Sequence, residues 1–121
     1  MFKKYLSTIF VLATLPSLAA PLKVYILSGQ SNMQGHARVS TFDHMAKDPK
    51  TAPLLKMMQD SSGEPAEAKD VWISYASEAR GGKATIKEGK LTAGFGAGDD
   101  KIGPEFTFGL AMDKHHDEPV L

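Results

Sequence analysis

The chain has 121 residues, with 14 basic and 14 acidic side chains, 42% hydrophobic residues and no cysteine. This composition is typical of one small globular domain and excludes a disulfide-stapled scaffold or an intrinsically disordered chain. Charges of both signs are mixed along the chain without a basic run, so nucleic acid and an anionic membrane are not indicated as partners.

Residues 1–19 predict a secretory signal peptide. Two lysines near the start precede an apolar run over residues 5–15, which is followed by Pro16 and small residues up to Ala19. The alternative is a membrane anchor, but the run is shorter than the roughly 20 apolar residues that span a bilayer, and Pro16 breaks it. Cleavage after about Ala19 would leave residues 20–121 as a secreted or periplasmic product, with no membrane contact after cleavage.

The first strand is predicted over residues 23–27, Lys-Val-Tyr-Ile-Leu. This short apolar run, with β-branched and aromatic members, suits a strand that is covered on both faces in a parallel sheet. Ser28 and Gly29 end it. The following segment, residues 32–38, predicts a helical turn, and residues 40–50 predict a polar loop.

The middle of the chain alternates short elements with turns. A short helix is predicted over residues 54–59 and a second strand over residues 71–75. The glycine-rich region 78–101 predicts an excursion that contains a weak hairpin, with strand-like pieces at 84–86 and 91–95.

The best predicted helix opens at Gly103-Pro104-Glu105, where glycine suits the cap, proline the first position and an acid the first turn. Residues 118–121 predict the start of another strand. The predicted elements are, in order, a strand, a helix, a strand, the glycine-rich insertion, a helix and the start of a strand. This is an α/β pattern in which only about half of the parallel sheet is present. We therefore expect a truncated product or a partial sequence.

Cofactor and metal motifs are not indicated. The run Gly-Phe-Gly-Ala-Gly at residues 94–98 lacks the preceding strand, the following helix and the spacing of a phosphate-binding loop. The four histidines have no cysteine partners and no H-E-x-x-H spacing, so no zinc or haem site is predicted. His36 and His44 are predicted to be surface or loop residues rather than bases.

Ser31 is the candidate nucleophile. It lies just past the carboxyl end of the first predicted strand, where open α/β sheets bind their ligands, and Gly29 permits a tight turn there. A helix that begins near Asn32 would point the Ser31 N–H into the site as an oxyanion donor. The alternative is that Ser31 and Asn32 only cap that helix, and spacing alone leaves both open. The second glycine of the G-x-S-x-G nucleophile elbow is absent.

Three stretches resemble, in order and spacing, the first half of the sialate O-acetylesterase and acetylxylan esterase family of the SGNH-hydrolase superfamily. They are SGQSNMQGH at residues 28–36, GFG at 94–96 and IGPEFTFG at 102–109. The resemblance covers nearly all of residues 21–121 and implies the N-terminal part of an α/β fold, a flavodoxin-like three-layer sandwich with a parallel sheet, here truncated.

The resemblance also implies an oxyanion site around the nucleophile. Ser31 would accept the acyl group, and its own N–H would be one oxyanion donor. Gly103 is our choice for the second donor, because a glycine at a helix cap allows close approach of the backbone N–H to a ligand. Gly94 and Gly96 are the alternatives.

Supporting residues follow from the same resemblance. Gln30 and Asn32 would hold the nucleophile loop, and Glu105 would hydrogen-bond to it; an equal alternative for Glu105 is a favourable first-turn charge. The family's Gln-Gly-Glu segment and late Asp-x-x-His pair, which supplies the base, are missing and are expected beyond Leu121. Residues 113–116 spell Asp-x-x-His but follow the Gly-Pro-Glu helix directly, so we interpret them as an ordinary helix end.

The implied activity is that of a serine carboxylic ester hydrolase. It would remove acetyl groups from sialic acid, xylan or related glycans through an acetyl-enzyme on Ser31, with an acetylated carbohydrate as its partner and no cofactor. Loss of the base typically costs on the order of 10⁴ to 10⁶ in turnover, so the chain alone is expected to be nearly inactive. The alternatives are a non-catalytic exported carbohydrate-binding or structural fragment of this fold, and a lipase-like esterase of the same superfamily.

Overall fold

The computed structural model describes residues 20–78 and 82–121, and the predicted signal peptide lies outside these residues. The described elements, in chain order, are α1 (Ser31–Gln34), β1 (Ala37–Arg38), a 3₁₀ turn (Val39–Thr41), α2 (Phe42–Met45), α3 (Ala52–Met58), β2 (Trp72–Glu78), β3 (Ala84–Lys90), β4 (Lys101–Ile102) and α4 (Pro104–His115). None of the helices within this described part of the chain is long and apolar enough to cross a membrane.

Two small antiparallel sheets form the regular strand pairs. In the first, β2 pairs with β3 from Trp72 opposite Lys90 to Glu78 opposite Ala84. In the second, β1 pairs with β4. The predicted strand over residues 71–75 is confirmed and continues to Glu78. The predicted hairpin within the glycine-rich region is wrong, because β3 runs seven residues and finds its hydrogen-bonding partner in β2.

Parallel pairing occurs only as isolated bridges around Val120, among the described residues. Val120 lies between Lys23 on one side and Val71 on the other. The backbone hydrogen bonds of these bridges include Lys23 N–H to Pro119 O (2.9 Å), Leu121 N–H to Lys23 O (2.8 Å), Tyr25 N–H to Leu121 O (2.8 Å), Val120 N–H to Asp70 O (2.9 Å) and Trp72 N–H to Val120 O (2.9 Å).

The predicted first strand, residues 23–27, is therefore not a regular strand of a parallel sheet in this structure. It pairs with the Val120 segment only at its start, and its apolar side chains are largely exposed, up to 89% for Ile26. The physical reason is that a strand of a parallel sheet needs paired neighbours and covered faces, and this segment has one short neighbour.

The core forms where α4 packs against the glycine-rich region and the two short helices before it. Phe106 is fully buried, and its ring stacks on that of Phe42 with centroids 6.4 Å apart. Leu91 packs so closely on α4 that a Cβ at Gly109 would collide with it. The polar loop predicted over residues 40–50 is wrong in its first half, because Phe42 anchors α2 in this core.

The two predicted helices are confirmed. The first is α3, with Pro53 in its first turn. The second is α4, which has Gly103 at its N-cap and Glu105 in its first turn. Fixed φ at proline and the orphan N–H groups of the first turn explain why these residues open helices.

Candidate functional site

Ser31 is the first residue of α1, a single helical turn that follows Gln30. Gln30 is the N-cap residue, and its carbonyl accepts the N–H groups of Met33 (2.9 Å) and Gln34 (2.8 Å). No side chain caps this turn, and both Ser31 and Asn32 are exposed. The alternative interpretation of Ser31 and Asn32 as helix caps is therefore wrong, because the cap position belongs to Gln30.

Gly35 closes this turn by a close approach to the N-terminus of α4. It has a φ of 76°, and a Cβ at this position would collide with the Gly103 backbone. The Gly35 carbonyl accepts the N–H of Ala97 at 2.8 Å. The fold therefore brings together the three stretches that carry the family resemblance, although they lie far apart in sequence. In the amino-acid sequence, the only signal for Gly35 is its place in the first of these stretches.

The three glycines proposed for the second oxyanion donor all use their N–H groups elsewhere. The Gly103 N–H donates to Glu105 Oε1 at 2.9 Å. The N–H groups of Gly94 and Gly96 both point at the Lys101 carbonyl, at 2.9 and 3.3 Å. Assignment of Gly103 as the second donor stays a prediction, and it requires that the Gly103 N–H leave the Glu105 carboxylate.

Glu105 is the only charged side chain that is buried among the described residues, with 6% exposure. Its Oε1 accepts the Gly103 N–H, which fits the first-turn interpretation, while Oε2 is buried without a hydrogen-bond partner in this part of the chain. Burial raises the pKa of the Glu105 carboxyl above its ordinary value, and the Gly103 N–H opposes this by stabilising the charged form. The predicted hydrogen bond from Glu105 to the nucleophile loop is replaced here by the bond to Gly103.

Ser31 and Glu105 both line a cavity with a volume of about 670 Å³. One wall consists of residues 24–31 and the opposite wall of residues 71–78, with Phe108 of α4 also contributing. Ser31 lies at one end of the first wall. Ser31 is an exposed residue at this end of the cavity.

The Asp-x-x-His sequence at the end of α4 makes structural contacts. Asp113 accepts the backbone N–H groups of Lys69 (2.9 Å) and Asp70 (2.8 Å) through its two carboxylate oxygens. His116 Nε2 is hydrogen-bonded to the Tyr25 hydroxyl at 2.7 Å. Both side chains are thus held by segments other than the Ser31 turn. No local sequence pattern predicts the contact between Tyr25 and His116, which are 91 positions apart.

The remaining histidines, His36, His44 and His115, are exposed, as expected for His36 and His44. Within residues 20–78 and 82–121, no three His, Cys, Asp or Glu side chains come together in a group that could hold a metal ion.

Comparison with known proteins identifies one family. The profile of the family described as carbohydrate esterase, sialic acid-specific acetylesterase, matches residues 21–121. Comparisons with curated proteins and with solved structures gave no match.

Proposed function

Since the chain belongs to the family of carbohydrate esterases described as sialic acid-specific acetylesterases, we propose that Ser31 is the nucleophile of a carbohydrate O-acetylesterase. The observation that carries the proposal is the family match over residues 21–121. The exposed position of Ser31 at the end of the cavity between residues 24–31 and 71–78 supports it.

The proposed reaction proceeds in two steps. The Ser31 Oγ loses its proton to a base and attacks the acetyl carbonyl carbon; the bond between that carbon and the sugar oxygen then breaks, and the sugar leaves as a protonated hydroxyl. Water then attacks the acetyl-enzyme, which releases acetate and returns the proton to Ser31. The Ser31 N–H would stabilise the oxyanion in both steps.

The described residues do not place a catalytic base beside Ser31. His116 and Asp113 are engaged with Tyr25 and with the backbone before β2. The resemblance implies that a late Asp-x-x-His pair supplies the base. Efficient turnover at Ser31 would require that pair. Without it, we expect turnover to be lower by about 10⁴-fold or more.

Supporting roles are part of the same proposal. Gln30 and Asn32 would hold the nucleophile turn, and Glu105 would hydrogen-bond to that turn once its carboxylate releases the Gly103 N–H, which would then be free to act as the second oxyanion donor. The parallel bridges around Val120 support the proposal that the complete sheet is that of an SGNH-type three-layer sandwich. We also propose export after removal of residues 1–19, on the pattern of their sequence.

The test compares Ser31→Ala with Ser28→Ala in the protein secreted by its native host. Ser28 is an exposed serine that lines the same cavity, so it is a matched control. Acetate release is measured from O-acetylated sialic acid, from acetylated xylan oligosaccharides and from a long-chain acyl ester. We expect Ser31→Ala to lose the acetylesterase activity, by about 10³-fold or more, and Ser28→Ala to retain it.

Three results would contradict the proposal. Activity that survives Ser31→Ala would remove Ser31 as the nucleophile. Preference for the long-chain ester would favour a lipase-like esterase. Binding of acetylated sugar by a wild-type protein that releases no acetate would favour the non-catalytic interpretation.

A further inference from the structure

The ammonium group of Lys87 contacts both ends of one glycine-rich loop. We call residues 94–99, Gly-Phe-Gly-Ala-Gly-Asp, the glycine loop. Lys87 Nζ donates one hydrogen bond to the Gly94 carbonyl oxygen at 2.9 Å and another to Asp99 Oδ1 at 2.8 Å. It also lies 5.2 Å from the centroid of the Phe95 ring, which is a cation–π distance. One side chain of β3 therefore connects the first and last residues of the loop.

The backbone of the glycine loop brings its two ends close together. Gly94 has a φ of 97°, which favours glycine, and a Cβ at this position would lie 3.0 Å from the Asp99 carbonyl oxygen. Oxygen atoms from the two ends therefore share a small region, and a cation that contacts both ends offsets the repulsion between them. Lys87 supplies that cation from a neighbouring strand.

The other side of the glycine loop contacts the turn that carries Ser31. The Ala97 N–H donates to the Gly35 carbonyl oxygen at 2.8 Å. A Cβ at Gly96 would lie 2.9 Å from the same oxygen, so the loop backbone packs directly on Gly35. The Gly35 N–H in turn donates to the Ser31 carbonyl oxygen at 3.3 Å and closes α1. The position of Ser31 is therefore coupled to that of the loop through Gly35.

A second cation, Arg38, binds the residue that follows the glycine loop. Its Nη1 donates to Asp100 Oδ2. The backbone is already paired at this point, because β1 pairs with β4 and the Val39 N–H donates to the Asp100 carbonyl oxygen at 2.9 Å. By contrast, among the described residues, the hydrogen bonds between the glycine loop and β3 are those of Lys87. Loss of the Lys87 ammonium would therefore release the loop from β3, whereas loss of the Arg38 side chain would leave the backbone bonds in place.

Both ion pairs lie at the surface. The side chains of Lys87 and Asp99 are 49% and 97% exposed, and those of Arg38 and Asp100 are 65% and 56% exposed. Exposed ion pairs add little to the stability of a fold. Removal of either cation is therefore expected to leave the protein folded, and a difference between the two variants would report the position of the loop rather than overall stability.

We propose that Lys87 is a positioning residue for Ser31, because it fixes the glycine loop against β3 and the loop fixes the nucleophile turn through Gly35. This inference rests on the proposed function of Ser31 as the nucleophile. A displacement of about 1 Å at a reacting group lowers the rate by about 10²-fold, so support of the turn affects catalysis directly. Lys87 does not line the cavity at Ser31, and it therefore acts through the loop backbone rather than on the reacting atoms.

The test compares Lys87→Met, Lys87→Arg and Arg38→Met in the protein secreted by its native host. Methionine keeps an unbranched apolar side chain and removes the charge, whereas arginine keeps a cation with several N–H donors. Arg38→Met is the matched control, because it removes the other exposed cation at this loop where the backbone pairing remains. The values of kcat and KM are measured for acetate release from O-acetylated sialic acid and from acetylated xylan oligosaccharides. Amide hydrogen exchange at Ala97 is measured by NMR.

We expect Lys87→Met to lower kcat by about tenfold or more while KM stays within about twofold of wild type. The same variant is expected to speed exchange of the Ala97 N–H by about fivefold or more. Lys87→Arg is expected to recover kcat to within about threefold of wild type, because the guanidinium can donate to both oxygens. Arg38→Met is expected to leave kcat and the exchange rate close to those of wild type.

The outcomes separate this inference from the proposed function. Unchanged kcat in Lys87→Met, with an active wild type, would overturn the role of Lys87 and leave the proposed function intact. An equal loss of kcat in Lys87→Met and Arg38→Met would indicate a general effect of lost surface charge and would also overturn it. A wild-type protein that releases no acetate would refute the proposed function and, with it, a role for Lys87 in catalysis. In that case the exchange rate of the Ala97 N–H would still show whether Lys87 fixes the loop.

Discussion

At the scale of single residues, Glu105 has the environment least compatible with its charge. The carboxyl is buried in the first turn of α4 with one oxygen bonded to the Gly103 N–H and the other unpaired among the described residues. A charge in this position gains from the helix N-terminus and from that N–H, but loses the solvation of water. The direction of its pKa shift shows that the loss of solvation is the larger effect.

This shift predicts a pH-dependent stability. The pKa of Glu105 is raised above its ordinary value of 4.5, so at a pH below 4.5 the carboxyl is protonated in both the folded and the unfolded chain. Above that pH the unfolded chain releases the proton first, and the free energy of unfolding therefore falls as pH rises through the folded-state pKa. Glu105→Gln removes this titration and is expected to gain stability relative to wild type between pH of about 4 and about 7.

Urea unfolding of wild type and Glu105→Gln at the two pH values measures this difference. Glu64→Gln, at an exposed position, is the control for loss of one carboxylate. A stability difference between wild type and Glu105→Gln that is the same at both pH values would contradict the prediction.

At the scale of elements, the end of α4 holds the chain that leads into β2. Asp113 accepts two backbone N–H groups, those of Lys69 and Asp70, and Asp70 in turn accepts the N–H of Val120 through its carbonyl. One helix side chain thereby fixes the segment that starts both the β2 pairing and the parallel bridge. These two hydrogen bonds give the Asp113 carboxylate of the apparent Asp-x-x-His pair a structural role that needs no part in catalysis.

Asp113→Ala is expected to destabilise the fold by about 1 to 3 kcal/mol, because it leaves two N–H groups without their charged acceptor. It should leave the rate of acetyl transfer at Ser31 within about twofold of wild type wherever the protein remains folded. Denaturant unfolding and acetate release measure the two effects. Asp117→Ala, an exposed neighbour, is the matched control. A stable Asp113→Ala protein that has lost its activity would instead assign the carboxylate to the chemistry.

At the scale of the whole molecule, one core joins the N-terminal helices, the glycine-rich region and α4. Phe106, with 0% exposure, stacks on Phe42 and belongs to the same cluster as Leu91 and Val120. The nucleophile turn rests on this core through the close approach of Gly35 and Gly103. Stability of the core and position of Ser31 are therefore coupled.

Phe106→Ala is expected to lower the free energy of unfolding by about 3 to 5 kcal/mol, because it removes buried apolar surface and leaves a cavity. The free energy of unfolding of small domains is only about 5 to 15 kcal/mol in total, so the variant should be largely unfolded or close to it. Ile86→Ala, at a position with 69% exposure in β3, is the control and should change stability by less than about 0.5 kcal/mol. Circular dichroism during urea unfolding measures both, and a Phe106→Ala protein with nearly wild-type stability would contradict the assignment of the core.

Elements with local signals were predictable from the amino-acid sequence. The opening of α4 at Gly103, Pro104 and Glu105 was predictable because proline and first-turn acids act within one turn of the helix. The second strand was predictable from its β-branched and aromatic residues. The family was also predictable, because its motif residues are contiguous in three short stretches and the family profile matches residues 21–121.

The choice of which segments meet is made by the fold and not by local sequence. The pairing of β3 with β2, the bridging of Val120 between Lys23 and Val71, and the use of the Gly103 N–H by Glu105 all depend on long-range contacts. An extended segment can pair with any other extended segment of matching register, and an N–H can bond to any acceptor within reach, so local composition cannot choose among them. The choice is made by the shared core, which brings the partners together when it excludes water from Phe106 and its neighbours.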